Sequence, residues 1–125
     1  MTALLIPMPG NEPLAQALAR AMDAEVGKLA IRRFPDEETY LRYDTPVAGR
    51  SIGLVCTLDR PDDKVLRLLF AAATARDLKA AHVGLIAPYL SYMRQDRRFQ
   101  PMEAITSNYF AKLLSEGFDW LVTVD

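Results

Sequence analysis

Short apolar runs alternate along this chain with stretches in which apolar residues recur every three or four positions. Ala3 to Ile6 is the first run. Pro7, Pro9 and Gly10 break it, and Leu14, Ala17, Leu18 and Ala21 then mark one face of a helix over about residues 13–22, with Asn11 placed to cap it. Extended segments are predicted near Lys28 to Arg33, Thr39 to Tyr43 and Ser51 to Cys56, the last two parted by the turn-like Pro46-Val47-Ala48-Gly49. Asp59 to Asp63 reads as a helix start, with Pro61 in the first turn and acids that suit the N-terminal dipole. That helix is expected to reach Lys79, with Val65, Leu68, Leu69, Ala72 and Leu78 toward the core and the run His82 to Ala87 beneath it as a strand. A last helix from about Ile105 to Ser115 stops at Gly117, and Trp120 to Val124 forms a strand.

Alternating strands and helices predict an α/β fold, a mostly parallel sheet flanked by helices, as one domain over residues 1–125. No repeat, low-complexity tract or linker interrupts it. At 125 residues, half hydrophobic and a quarter charged, the chain can bury roughly two-thirds of its unfolded surface and needs neither disulfide nor metal to fold. The single cysteine, Cys56, lies in an apolar run and reads as a small buried side chain, which agrees with a reducing compartment. The opening residues lack a basic stretch and meet prolines at once, and no window approaches the ~20 apolar residues that cross a bilayer. A cytoplasmic protein without a membrane partner is expected. The net charge of −1 offers no general field for nucleic acid, and the basic residues form one loop rather than a stripe, so a nucleic-acid partner is not expected.

That loop is the first place where chemistry collects. Between Ala87 and Ile105 lies a connection of about 17 residues, against the usual ~4–6. It leaves the carboxyl end of a strand, where open parallel sheets bind their ligands. Tyr92-Met93-Arg94-Gln95-Asp96-Arg97-Arg98-Phe99 concentrates arginines that match phosphate oxygens, a glutamine that can donate or accept, and rings that can stack on a base. A solvated basic turn whose aromatics pin the loop to the core would have the same spacing. The second place is Phe34-Pro35-Asp36-Glu37-Glu38, at the tip of a hairpin. Its carboxylates can accept hydrogen bonds from an exocyclic amine or a ribose hydroxyl, and Phe34 can cover a base. An acid-rich tip is also what an ordinary solvated turn looks like. No Gly-x-x-x-x-Gly-Lys or Gly-x-Gly-x-x-Gly segment is present, one histidine with one cysteine cannot build a zinc site, and His82 reads as a junction residue.

Four segments in order, Phe34 to Glu38, Tyr92 to Arg97, Ala104-Ile105-Thr106 and Thr123-Val124-Asp125, make the chain resemble the N-terminal half of the ribose-phosphate pyrophosphokinases. Spacing is similar too, and the resemblance covers nearly the whole chain. It implies a phosphoribosyltransferase-like domain in an enzyme that transfers the diphosphoryl group of Mg²⁺-ATP to ribose 5-phosphate. It further implies that Phe34 stacks on adenine, that Asp36 and Glu38 bond the base or ribose from a neighbouring subunit, and that Arg94 and Gln95 contact the nucleotide. Asp96 would orient the arginines, and Glu37 belongs to the same ATP-binding segment. A homodimer or higher homo-oligomer follows.

Three departures from the family pattern stand out. Glu37 and Met102 each replace a glycine, and the usual basic regulatory stretch is here Phe99-Gln100-Pro101-Met102-Glu103, so the usual allosteric control is not expected. The family's metal-binding histidine, flexible catalytic loop and acidic sugar-phosphate motif would all fall beyond Asp125. The chain is therefore expected to be the front part of an enzyme and inactive by itself. The alternative is a non-catalytic, synthetase-associated protein that uses the fold for regulatory assembly.

Overall fold

The computed structural model describes residues 2–124. Five parallel strands form the sheet in the order β2-β1-β5-β6-β7, with β1 at Leu4–Pro7, β2 at Glu25–Val26, β5 at Ser51–Val55, β6 at His82–Ala87 and β7 at Trp120–Thr123. Helices α1 (Glu12–Met22), α2 (Val65–Asp77) and α3 (Thr106–Gly117) cover it. Strands β3 (Leu29–Arg33) and β4 (Thr39–Tyr43) form a separate antiparallel hairpin, with Leu29 opposite Tyr43 and Arg33 opposite Thr39.

Both faces of the sheet are covered, which is why its central strands read as unbroken apolar runs. Leu4, Ile6, Ile52, Leu54, Val83 and Leu85 turn to one side and pack with Leu68, Ala71, Ala72 and Ala75 of α2 and Phe110 and Leu114 of α3. Leu5, Val55 and Ile86 turn to the other and meet Ala15 and Ala19 of α1. Truncating one of the fully buried leucines, such as Leu54, would cost about 2–5 kcal/mol. The hairpin joins the larger core through Leu29, Ile31, Leu41 and Tyr43, and the Tyr43 hydroxyl donates to the Ala71 carbonyl at 2.7 Å. Burial raises the Tyr43 pKa, so that donor stays protonated.

Four expectations need correction. The buried face of α1 carries Ala15 and Ala19, with Leu14 and Leu18 beside them, while Ala17 and Ala21 are exposed. Alanine fits either face by hydropathy, and the face is chosen by which small residues let the helix approach Leu5 and Val55. Asn11 is not a side-chain cap: its amide donates to the Met8 and Pro9 carbonyls at 3.1 and 3.2 Å, and its oxygen accepts from the Thr57 backbone at 2.9 Å. The stretch from Pro61 is a 3₁₀ turn, Pro61–Asp63, separate from α2, and Leu78 lies exposed beyond that helix. The two-residue β2 was not predicted, being too short to show a period. Val124 lies past β7, and Asp125 of the Thr-Val-Asp segment lies outside the described residues.

Candidate functional site

The strand order reverses between β1 and β5, the position where a doubly wound sheet opens a crevice at its carboxyl edge. Here Asn11 spans that crevice, bonding the loop after β1 to the loop after β5. The open space lies one strand further on. A cleft of about 590 Å³, within the ~300–1,000 Å³ typical of ligand pockets, separates Asp59–Asp63 after β5 from Tyr89–Gln95 after β6. Its walls are tied together at the base, where the Leu58 amide donates to the Tyr89 carbonyl at 3.0 Å. Thr106, the first residue of α3, also borders it.

Two acids of one wall are held by their neighbours. Asp59 pairs with Lys64, whose hydrogen bond pulls the Asp59 pKa below the usual carboxylate range. Asp62 accepts a hydrogen bond from the Tyr92 hydroxyl, and that bond raises the tyrosine pKa. The Tyr92 ring packs on Phe110 with centroids 4.9 Å apart. Two wall residues, Arg60 at φ 48° and Tyr92 at φ 63°, sit in the left-handed region that non-glycine residues avoid, and backbone of this kind collects at ligand sites. Ser91 is buried, and its hydroxyl has no partner among the described residues. Neither Arg60 nor Ser91 was singled out from the sequence, because nothing in their spacing distinguishes them from ordinary loop residues.

Arg94 lines the cleft, is exposed and enters no ion pair among the described residues. Gln95 lines it too, but both of its amide hydrogens are engaged, with the Arg97 carbonyl at 2.7 Å and a Glu103 carboxylate oxygen at 3.2 Å. Gln95 can therefore meet a ligand only through its oxygen, as an acceptor from an amine or hydroxyl. Asp96 is exposed, and no ion pair joins it to an arginine among the described residues. The expected orientation of the arginines by Asp96 is absent here: Arg98 bonds the Glu103 carbonyl at 2.9 Å, and Arg97 stacks on Phe99 at 4.9 Å.

The hairpin tip is a tight turn in which the Phe34 amide donates to the Glu38 carbonyl and the Glu37 amide to the Phe34 carbonyl, both at 2.8 Å. The Glu38 amide adds a bond to the Asp36 carboxylate at 3.2 Å. Glu37 adopts φ 75°, so the backbone keeps the shape glycine favours although the side chain is glutamate. Met102 does the same at φ 70°. Phe34 is 45% exposed, set edge-on to Tyr40 with centroids 5.8 Å apart, and Glu37 lies 3.6 Å from Arg33. Within one chain the tip lines none of the cleft, so Phe34, Asp36, Glu37 and Glu38 are not brought together with Arg94 and Gln95.

Among the described residues, no group of three or more His, Cys, Asp or Glu is arranged to hold a metal ion. The side chains of the described residues therefore build no all-protein cage for Mg²⁺. His82 is exposed at the start of β6, with its Nδ1 4.0 Å from Asp119. Cys56 is buried, and burial raises its pKa, which makes it a poor nucleophile. No helix among the described residues is long and apolar enough to cross a membrane.

Sheet, helices and cleft define a phosphoribosyltransferase-like α/β domain with an open cleft at the carboxyl edge. The family model for the N-terminal domain of ribose phosphate pyrophosphokinase matches residues 3–117. The ribose-phosphate pyrophosphokinase of Saccharolobus solfataricus is 38% identical over 112 residues, covering 88% of this chain and 38% of that protein. The crystal structure of phosphoribosylpyrophosphate synthetase from Mycobacterium smegmatis superimposes with a TM-score of 0.90 at 25% identity, over 100% of this chain and 43% of that one. A hypoxanthine phosphoribosyltransferase from Trypanosoma cruzi, at TM-score 0.56 and 12% identity over 98% of this chain and 61% of that one, shares the fold. This chain belongs to the ribose-phosphate pyrophosphokinase family, as its N-terminal domain. It spans less than half the length of the curated relatives it matches.

Proposed function

We propose that this chain is the nucleotide-holding part of a ribose-phosphate diphosphokinase. In the whole protein the 1-hydroxyl oxygen of ribose 5-phosphate bonds to the β-phosphorus of ATP. The hydroxyl proton is released, the bond from that phosphorus to the α,β-bridging oxygen breaks, AMP leaves, and phosphoribosyl pyrophosphate forms. The reading rests on one observation, the cleft at the carboxyl edge of β5 and β6 with Arg94 on its wall and outside any ion pair among the described residues. Arg94 is assigned to the phosphates or the base of ATP, and the oxygen of Gln95 to an amine or hydroxyl of the nucleoside. Because the tip from Phe34 to Glu38 lies outside the cleft of its own chain, it serves the cleft of a second copy, and the protein works as a homodimer or larger homo-oligomer. Mg²⁺ enters with the nucleotide, and the setting is cytoplasmic.

Titration calorimetry with ATP tests the assignment. Removing a charge-assisted hydrogen bond worth roughly 1.5–3 kcal/mol should weaken binding by about ten- to a hundredfold in Arg94→Ala. Arg32→Ala, on the hairpin strand where the guanidinium stacks on Tyr40 at 4.6 Å, should bind like the parent. Glu38→Gln should lose less than Arg94→Ala, because the amide keeps an acceptor oxygen. Equal binding by Arg94→Ala and the parent would return the loop to the status of a solvated turn.

A further inference from the structure

The loop from Pro88 to Ile105 has no helix or strand of its own, so its backbone groups need other partners to be ordered. Between Gln95 and Glu103 those partners converge on one side chain. A single carboxylate oxygen of Glu103 accepts from the Phe99 amide at 3.0 Å, the Gln100 amide at 2.8 Å and the Gln95 side chain at 3.2 Å. The Glu103 carbonyl accepts from Arg98 at 2.9 Å. The Gln95 carbonyl in turn accepts from the Ser107 amide at 3.2 Å, which fastens the segment to the first turn of α3.

This order has no packing cause. Phe99 is 52% and Met102 98% exposed, and neither belongs to a core cluster. Met102 is moreover held at φ 70°, a conformation that costs a non-glycine residue energy. Leu90 and Tyr92 anchor the front of the loop on the core, but the segment from Gln95 to Glu103, closed against its own backbone preference and outside the core clusters, is organised for what it presents. It presents Arg94 and Gln95 to the cleft.

We propose that Glu103 is a positioning residue for the nucleotide: it fixes the loop through Gln95, Phe99 and Gln100 so that Arg94 stands in its binding geometry before a ligand arrives. The inference rests on the nucleotide reading of the cleft. Glu103 need not touch the ligand, and its effect on affinity is the ordering entropy that binding would otherwise have to supply.

Amide hydrogen exchange and ATP calorimetry on the full chain, with Glu103→Ala and Glu103→Gln, test it. In Glu103→Ala the Phe99 and Gln100 amides should exchange at least about tenfold faster, and ATP binding should weaken by a similar factor, about tenfold. The melting temperature should stay near that of the parent, since the segment from Gln95 to Glu103 adds no residue to the core clusters. Glu103→Gln should recover part of both losses, because an amide oxygen can accept the same three donors without the charge. If Glu103→Ala frees the amides but binds ATP as the parent does, or leaves the amides protected, the proposal is overturned. A glutamine variant no better than alanine overturns it as well. A parent that keeps its amides protected and binds no ATP refutes the nucleotide reading itself, and this inference goes with it.

Discussion

Gly84, in the middle of β6, offers a sharp test of how the sheet edge is packed. A Cβ built there would lie 1.9, 2.1 and 2.3 Å from three atoms of the Trp120 indole, where carbon atoms normally meet at about 3.5–4.0 Å. Gly84→Ala therefore forces the ring to move by roughly 1.5–2 Å. Trp120 stands on β7 at the sheet edge and is 37% exposed, so it can swing outward, losing its contacts over Gly84 and Gly53. Overpacking of this kind costs about 1–3 kcal/mol. Against it runs the smaller conformational freedom of alanine in the unfolded chain, worth about 0.4–1 kcal/mol, since Gly84 has no positive φ to strain. The net expectation is a loss of about 1–2 kcal/mol. In a Trp120→Ala background the obstacle is gone, and the same substitution should be neutral or stabilising. Urea denaturation followed by circular dichroism gives all four corners of the double-mutant cycle, and the lone tryptophan reports the ring's movement by fluorescence in the two variants that keep it. A coupling near zero, with Gly84→Ala costing the same in both backgrounds, would refute the reasoning.

Ser91→Ala should leave the free chain as stable or more stable by up to about 1 kcal/mol, because it removes a buried hydroxyl without a partner among the described residues; a clear drop in melting temperature would mean the hydroxyl is satisfied. Acid should destabilise the fold through carboxylates whose folded pKa values are lowered: Asp119 by the Val83 amide and Arg76, Glu25 by Arg50, and Asp59 by Lys64. Their stabilisation is fully present above the unfolded carboxylate pKa near ~4 and is lost as pH falls through the lower folded values. Melting temperatures between pH 6 and 3 should fall less steeply for Asp119→Asn than for the parent, and parallel curves would exclude Asp119 as a contributor. Purified chain should form no phosphoribosyl pyrophosphate from ATP and ribose 5-phosphate, since it spans less than half the length of the curated relatives it matches; turnover above background in a coupled assay would contradict this.

The elements most legible in the sequence were those whose burial is two-sided or strongly periodic. The runs at Leu4, Ile52 and Val83 became central strands because residues buried on both faces must be apolar, and α3 was placed from about Ile105 by its stop at Gly117, with Phe110 and Leu114 on its buried side. The buried face of α1 was misread by about one residue: Leu14 and Leu18 flank it, but the four alanines differ only in position, and Ala15 and Ala19 rather than Ala17 and Ala21 complete it. The edge strand β2 contains one charged and one apolar residue and is set by pairing with β1 and by the ion pair of Glu25 with Arg50. At the site, residue types pointed to Arg94 and Gln95, but spacing could not show that Gln95 has both amide hydrogens engaged or that the loop is gathered on Glu103 rather than Asp96. Those facts depend on where a structureless segment folds back, and no local period encodes it. Replacement of glycine by Glu37 and Met102 was visible as chemistry. That both positions keep the left-handed backbone was not.

On the proposed reading, ATP occupies the cleft between the loops after β5 and β6, and the hairpin tip of a second copy completes the site. The direct measurement is a nitrogen–proton correlation spectrum of isotope-labelled chain, titrated with ATP at concentrations where light scattering gives a dimer or larger. The amides from Tyr89 to Gln95 should shift together with those of Phe34, Asp36, Glu37 and Glu38, along one binding isotherm, and Arg94→Ala should abolish both sets of shifts over the same range. Shifts confined to other parts of the surface, or none in the Tyr89 to Gln95 loop at saturating ATP, would contradict it.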